Sequence, residues 1–133
     1  MGGFLVNEKC RHVFGPGDHG STFGGNPVAA AAACAVLDIL DDEAIAQVQE
    51  KGQYLRDGIE GLDLPCLGQT RGMGLMIGVE VADGLSNKEL CAHLNEAGLL
   101  CLTAGPGLRF LPPLTITKDE LDKGLAVLKS ALS

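Results

Sequence analysis

The chain has 133 residues and a formal net charge of −7 at pH 7, a balance that suits neither nucleic acid nor an anionic membrane surface as a partner. Hydrophobic residues make up 46% and aromatics 4%, with no tryptophan and one tyrosine. A core of about one domain must therefore rest on Leu, Val, Ile and Ala.

The five cysteines (Cys10, Cys34, Cys66, Cys91, Cys101) form no Cys-x-x-Cys pair, which points to a reduced, cytoplasmic protein. Cys10, His12 and His19 match no standard zinc spacing, so no metal site is expected.

In chain order, Met1 to Val6 is a short apolar piece that predicts a strand. It begins abruptly, without a cap, as if in the middle of a longer chain. Glu8, Lys9 and Arg11 interrupt any secretory signal. From Gly15 to Gly25 five glycines and Pro16 let the backbone bend sharply and lie bare. Asn26 is a good N-cap and Pro27 suits the first helical position, so a helix runs from Pro27 to about Leu40. Backbone N–H groups and the hydroxyls of Ser21 and Thr22 thus crowd at a helix start, where a phosphate binds well. The same composition also serves as a plain turn, with Ser and Thr satisfying local backbone. The apolar run Val28 to Leu37 is ten residues, too short to span a bilayer. Its small side chains suit either a central core helix or one covered by another domain or subunit.

A second helix, Glu43 to Gly61, carries Ile45, Val48, Leu55, Ile59 and Leu62 on one side, and Pro65 breaks the chain. Arg71-Gly72-Met73-Gly74 reads as a turn into a strand from Leu75 to Val81. Ser86 to Glu89 is a capping box opening a helix with Leu90, Leu94 and Ala97 inside, and Gly98 stops it. Leu99 to Thr103 is strand-like. Gly105-Pro106-Gly107 turns into a second short strand, Leu108 to Leu111, cut off by Pro112-Pro113. Thr117 to Glu120 is another capping box, opening a last helix with Leu121, Leu125, Leu128 and Leu132 inside. The expected fold is α/β of the α+β type, a short, mostly antiparallel sheet with helices packed on one face.

Arg109 stands in an apolar strand and points opposite Leu108 and Phe110. It either ends in an exposed ion pair or binds a planar anion with its fork. Arg71 precedes a glycine turn, a setting in which arginine commonly ties carbonyls together. His19 and His93 have no nameable partner and read as packed or exposed histidines.

Several of these segments carry a family resemblance. Asp18-His19-Gly20-Ser21-Thr22-Phe23-Gly24-Gly25-Asn26-Pro27 resembles a loop of class III aminotransferases of the ornithine/acetylornithine type, which use pyridoxal 5'-phosphate. Leu108-Arg109-Phe110-Leu111-Pro112-Pro113-Leu114 is similar to the segment where these enzymes place the arginine that grips the substrate α-carboxylate. Arg71-Gly72-Met73-Gly74-Leu75 and the Gly-Gly-Phe-Leu-Val segment near the start also match. The resemblance covers nearly the whole chain.

It implies the C-terminal part of a fold-type I aminotransferase. Residues 1–26 would be a glycine-rich loop segment from the end of the large cofactor domain, 27–61 connecting helices, and 62–133 the small C-terminal α/β domain. Arg109 would bind substrate; Ser21 and Thr22 would hold the cofactor phosphate of the neighbouring subunit in a homodimer. The implied reaction transfers an amino group from N-acetylornithine to 2-oxoglutarate, in arginine biosynthesis. Ornithine, succinylornithine and 4-aminobutyrate stay open as donors.

Lys9, Lys51, Lys88, Lys118, Lys123 and Lys129 do not match the setting of the family's cofactor lysine, and its acidic and aromatic cofactor contacts are missing too. No catalytic residue is therefore expected here. The fragment alone should be inactive and should not hold the cofactor tightly. A reading of another class is a non-catalytic small α/β module that uses its glycine loop for packing or anion binding.

Overall fold

A computed structural model describes Gly2 and residues 4–133. The chain divides into two compact units, Met1–Asp42 and Glu43–Ser133. The strand expected over Met1 to Val6 falls in part on Met1 and Gly3, outside the described residues; Phe4, Leu5 and Val6 have no regular structure and are exposed.

In the first unit a 3-10 turn at Glu8–Cys10 is capped by Asn7, whose side chain accepts from the Lys9 N–H at 3.1 Å. The glycine-rich loop then leads into α1 (Pro27–Ile39), which starts on the expected Asn26 cap and Pro27. None of its residues is buried. Within its own unit it is therefore no core helix, and Val28, Val36, Leu37 and Ile39 stand exposed.

The second unit is an α+β layer pair. Its elements are α2 (Asp42–Gly61), β1 (Leu67–Met73), β2 (Met76–Val81), α3 (Asn87–Glu96), β3 (Leu102–Ala104), β4 (Gly107–Phe110) and α4 (Lys118–Leu132). The four strands lie in the order β1-β2-β4-β3, each neighbouring pair antiparallel. Strand alternation sorts the side chains between two faces. Ile77 and Val79 of β2, with Leu108 and Phe110 of β4, are buried against Leu55 and Ile59 of α2, Leu94 of α3, and Leu121 and Leu128 of α4. The helices thus cover one face of the sheet, and the other, with Met76, Arg71 and Arg109, is left exposed.

Two glycine contacts fix the β1–β2 turn, one against α2 and one within the sheet. A methyl group at Gly52 would overlap the carbonyl oxygen of Gly74, so the helix backbone rests directly on the β1–β2 turn. At Gly72, where φ is +139°, a side chain would overlap the Met76 carbonyl.

That turn sits later than the sequence predicts. Arg71, Gly72 and Met73 are the end of β1, and the chain reverses at Gly74 and Leu75. The strand Leu67–Met73 shows no apolar alternation, so its sequence carries no strand signal. At Thr117 both halves of the capping box form. At Ser86 the side chain accepts from the Glu89 N–H at 3.3 Å.

Candidate functional site

The open face of the sheet is organised by its register. Arg71 of β1 pairs with Gly78 of β2, Gly78 pairs with Arg109 of β4, and Arg109 pairs with Leu102 of β3. Paired residues in a sheet project to the same side. One cross-sheet row therefore carries two guanidinium groups separated by a residue without a side chain. The two arginines and Gly78 line a depression of about 650 Å³, together with Met73, Met76 and Ala104.

The two arginines differ in their partners. Arg71 lies within 3.7 Å of the Glu80 carboxylate, both side chains being well exposed, and such a surface pair is worth about 0–1 kcal/mol. Its stem runs along Gly78, where an added Cβ would meet Arg71 Cγ at 3.5 Å and Nε at 3.6 Å. Among the described residues no carboxylate pairs with Arg109. Its guanidinium is a fork of donors on a sheet face, with geometry suited to a carboxylate. No lysine lines this depression.

Carbonyl-tying, expected of Arg71, is done by Arg56, a residue that sequence reasoning passed over. Its Nη1 donates to the Gly72 carbonyl at 3.4 Å, fastening α2 to β1. Its half-buried place on α2, with Nε out of contact with solvent, is set by the packing of the helix on β1 and leaves no signal in the local sequence.

Ser21 and Thr22 lie in the other compact unit, in a loop shaped by its own hydrogen bonds. The Asp18 carboxylate accepts from the Gly15 N–H at 2.6 Å, the Ser21 carbonyl accepts from the Gly24 N–H at 3.1 Å, and Gly17 and Gly25 take positive φ. The start of α1 is already satisfied. The Asn26 side chain accepts from the Val28 and Ala29 N–H groups at 2.9 and 3.1 Å, and its carbonyl accepts from Ala30 at 2.9 Å. An anion here would therefore be met by the loop's hydroxyls and its own backbone N–H groups rather than by the helix's first N–H groups. Both hydroxyl residues are exposed. A Cβ built on Gly20 or Gly25 meets nothing within 4 Å, leaving room for a phosphate oxygen. The residues present fit the phosphate end of pyridoxal phosphate and supply nothing for its ring.

Two of the three histidines make contacts of their own. His19 meets the Phe14 ring edge-on at 6.3 Å, and His93 Nε2 lies 3.0 Å from the Ala131 carbonyl, linking α3 to α4. Among the described residues there is no cluster of three or more metal-ligating side chains, and no helix is long and apolar enough to cross a membrane. A second depression, of about 320 Å³ between Leu55, Phe110, Pro112 and Leu125, is almost wholly apolar and lacks convergent polar groups.

The model of the family "Aminotransferase class-III" matches residues 1–132. An ornithine aminotransferase of Staphylococcus carnosus is 46% identical over 130 residues, covering 96% of this chain and 32% of its own length. A crystal structure of acetylornithine aminotransferase from Elizabethkingia anophelis superposes with a TM-score of 0.78 at 35% identity, covering 96% of this chain and 35% of that one. The ornithine aminotransferase of Toxoplasma gondii, in a structure described as having partial occupancy of PLP at its active site, gives a TM-score of 0.74 at 36% identity, covering 89% of this chain and 29% of that one. The chain spans about a third of the length of the curated relatives it matches.

Proposed function

The chain belongs to the class-III aminotransferase family, and we propose that it is the C-terminal part of a pyridoxal-phosphate enzyme that transfers the amino group of N-acetylornithine to 2-oxoglutarate. The observation that carries this reading is Arg109, a guanidinium on an open sheet face without a carboxylate partner among the described residues. It would grip the substrate α-carboxylate through paired N–H···O bonds and so fix which end of the substrate reaches the cofactor. Arg71, held over Gly78, would add positive potential to the same face.

When bound, pyridoxal phosphate supplies the electron sink for transamination. In this chain Ser21 and Thr22 would donate to its phosphate, across the interface of a cytoplasmic homodimer. Residues 1–26 would close the large cofactor domain, 27–61 connect, and 62–133 form the small domain. None of the chain's six lysines matches the setting of the family's cofactor lysine, and none lines the Arg109 depression, so the lysine that anchors the cofactor would come from the remainder of the protein.

The test compares the full gene product with the 133-residue chain alone, each given pyridoxal phosphate, N-acetylornithine and 2-oxoglutarate. Glutamate should form only with the full product. Turnover by the chain alone, or none by the full product, would overturn the reading.

A further inference from the structure

We propose that Cys91 and Cys101 form a reversible disulfide, a modification site at the junction of α3 and β3 that hydroperoxides oxidise. Cys91 sits half-buried on α3, and Cys101, 6% exposed, immediately precedes β3. Their Sγ atoms lie 3.7 Å apart, and the Cys91 thiol also donates to the Cys101 carbonyl at 3.3 Å. Asn95, one helical turn on from Cys91, clamps the pair. Its Oδ1 accepts from the Cys101 N–H at 2.9 Å, and its Nδ2 lies 3.8 Å from Cys91 Sγ. The connecting turn is held by the Leu99 N–H donating to the Leu94 carbonyl at 2.9 Å. Bond formation needs the sulfurs to close from this contact to about 2.05 Å, a movement within reach of side-chain rotation. Among the described residues no other two cysteines make a sulfur contact.

The chemistry divides between the two residues by exposure. The more accessible Cys91 sulfur attacks the terminal oxygen of a hydroperoxide, breaking the O–O bond, releasing an alcohol or water and leaving Cys91 as a sulfenic acid. Cys101 Sγ then attacks the Cys91 sulfur. The S–S bond forms, and the hydroxyl departs as water with the Cys101 proton. Two electrons and two hydrogens have passed from the thiols to the peroxide. Burial, with the hydrogen bond to Cys91, pushes the Cys101 thiol up to about 12. Cys101 is therefore the resolving partner and not the first sulfur oxidised. The link would tie α3 to the edge strand at the residue before Leu102, which pairs with Arg109.

The test treats the whole 133-residue chain with hydrogen peroxide, alkylates free thiols in denaturant, and cleaves after Glu96 to separate the two cysteines. The expected product is a dominant Cys91–Cys101 linked peptide, lighter by two hydrogens than its parts and returned to thiols by dithiothreitol. Cys91→Ser should abolish it with an unchanged circular dichroism spectrum. Thiols still alkylated at both positions when Cys10 or Cys34 is already oxidised would overturn the proposal. So would disulfides scattered among all five cysteines, or Cys91 ending as a sulfinic acid.

Discussion

Arg71 and Arg109 face the same side of the sheet from β1 and β4, with only the backbone of Gly78 between them. Two strand spacings set their backbones roughly 10 Å apart, leaving a floor on which a planar ligand can lie. Filling that floor should hurt function more than folding. A Cβ at Gly78 makes only ordinary contact with the Arg71 stem, so Gly78→Ala should leave the denaturation midpoint nearly unchanged. Gly78→Leu would project over the floor, and in the full enzyme kcat/KM for glutamate should fall by about tenfold or more, a cost of about 1.4 kcal/mol. An unchanged kcat/KM in Gly78→Leu would remove this row from the substrate site.

Close packing of α2 on the β1–β2 turn gives a stability prediction. Gly52→Ala favours the helix by about 1 kcal/mol in propensity, yet its methyl group must displace the Gly74 carbonyl. Such overpacking typically costs about 1–3 kcal/mol, so net destabilisation is expected in urea unfolding. Gly61, with nothing within 4 Å of an added Cβ, serves as the tolerant control. A Gly52→Ala chain as stable as the parent would mean that the turn can move aside.

The capping box of α4 predicts a pH dependence. The Thr117 N–H and then its hydroxyl hold the Glu120 carboxyl below its ordinary range. A depressed carboxylate stabilises the fold above its unfolded value, about 4.3, and that contribution is lost as pH falls through the lower folded value. The Tm advantage of the parent over Glu120→Gln should therefore be present at neutral pH and shrink on acidification. Thr117→Ala should cost about 1 kcal/mol. A constant Tm gap down to acid would show that the carboxylate contributes nothing. Glu60, lowered by Thr70 in the same way, keeps part of the parent's acid sensitivity in both proteins.

With the α1 terminus already satisfied by Asn26, the loop hydroxyls are the side-chain groups left to bind phosphate. Replacing Ser21 and Thr22 together by alanine in the full enzyme should raise the pyridoxal phosphate dissociation constant more than tenfold, since each charge-assisted hydrogen bond is worth about 1.5–3 kcal/mol. Equilibrium dialysis reads this directly. Retention equal to the parent would return both residues to a turn-forming role.

Much of the fold is legible in the sequence because local signals and burial agree. Asn26-Pro27 sets the start of α1, Thr117 and Glu120 set that of α4, and the alternation of Ile77, Val79 and Val81 marks a strand with one buried face. β1 was not legible, because Gly68, Arg71 and Gly72 are there for close approach and for the open face rather than for the core. Arg109 stood out locally as a charge in an apolar strand. Its companion Arg71 did not, since only the antiparallel register, a long-range property, places the two in one row. The small residues of α1 suggest close packing, but within its own unit none of them is fully buried.

The central claim is that the Arg109 guanidinium holds the substrate α-carboxylate in an aminotransferase. The most direct measurement is steady-state kinetics of the full enzyme with glutamate, alongside its cofactor content, for Arg109→Ala and Arg109→Lys. Losing a bidentate charged contact should lower kcat/KM by about tenfold to a hundredfold or more in Arg109→Ala. Arg109→Lys should also be impaired, since the charge stays but the fork is gone. Cofactor content should equal that of the parent in both. A kcat/KM for glutamate unchanged in Arg109→Ala would contradict the account.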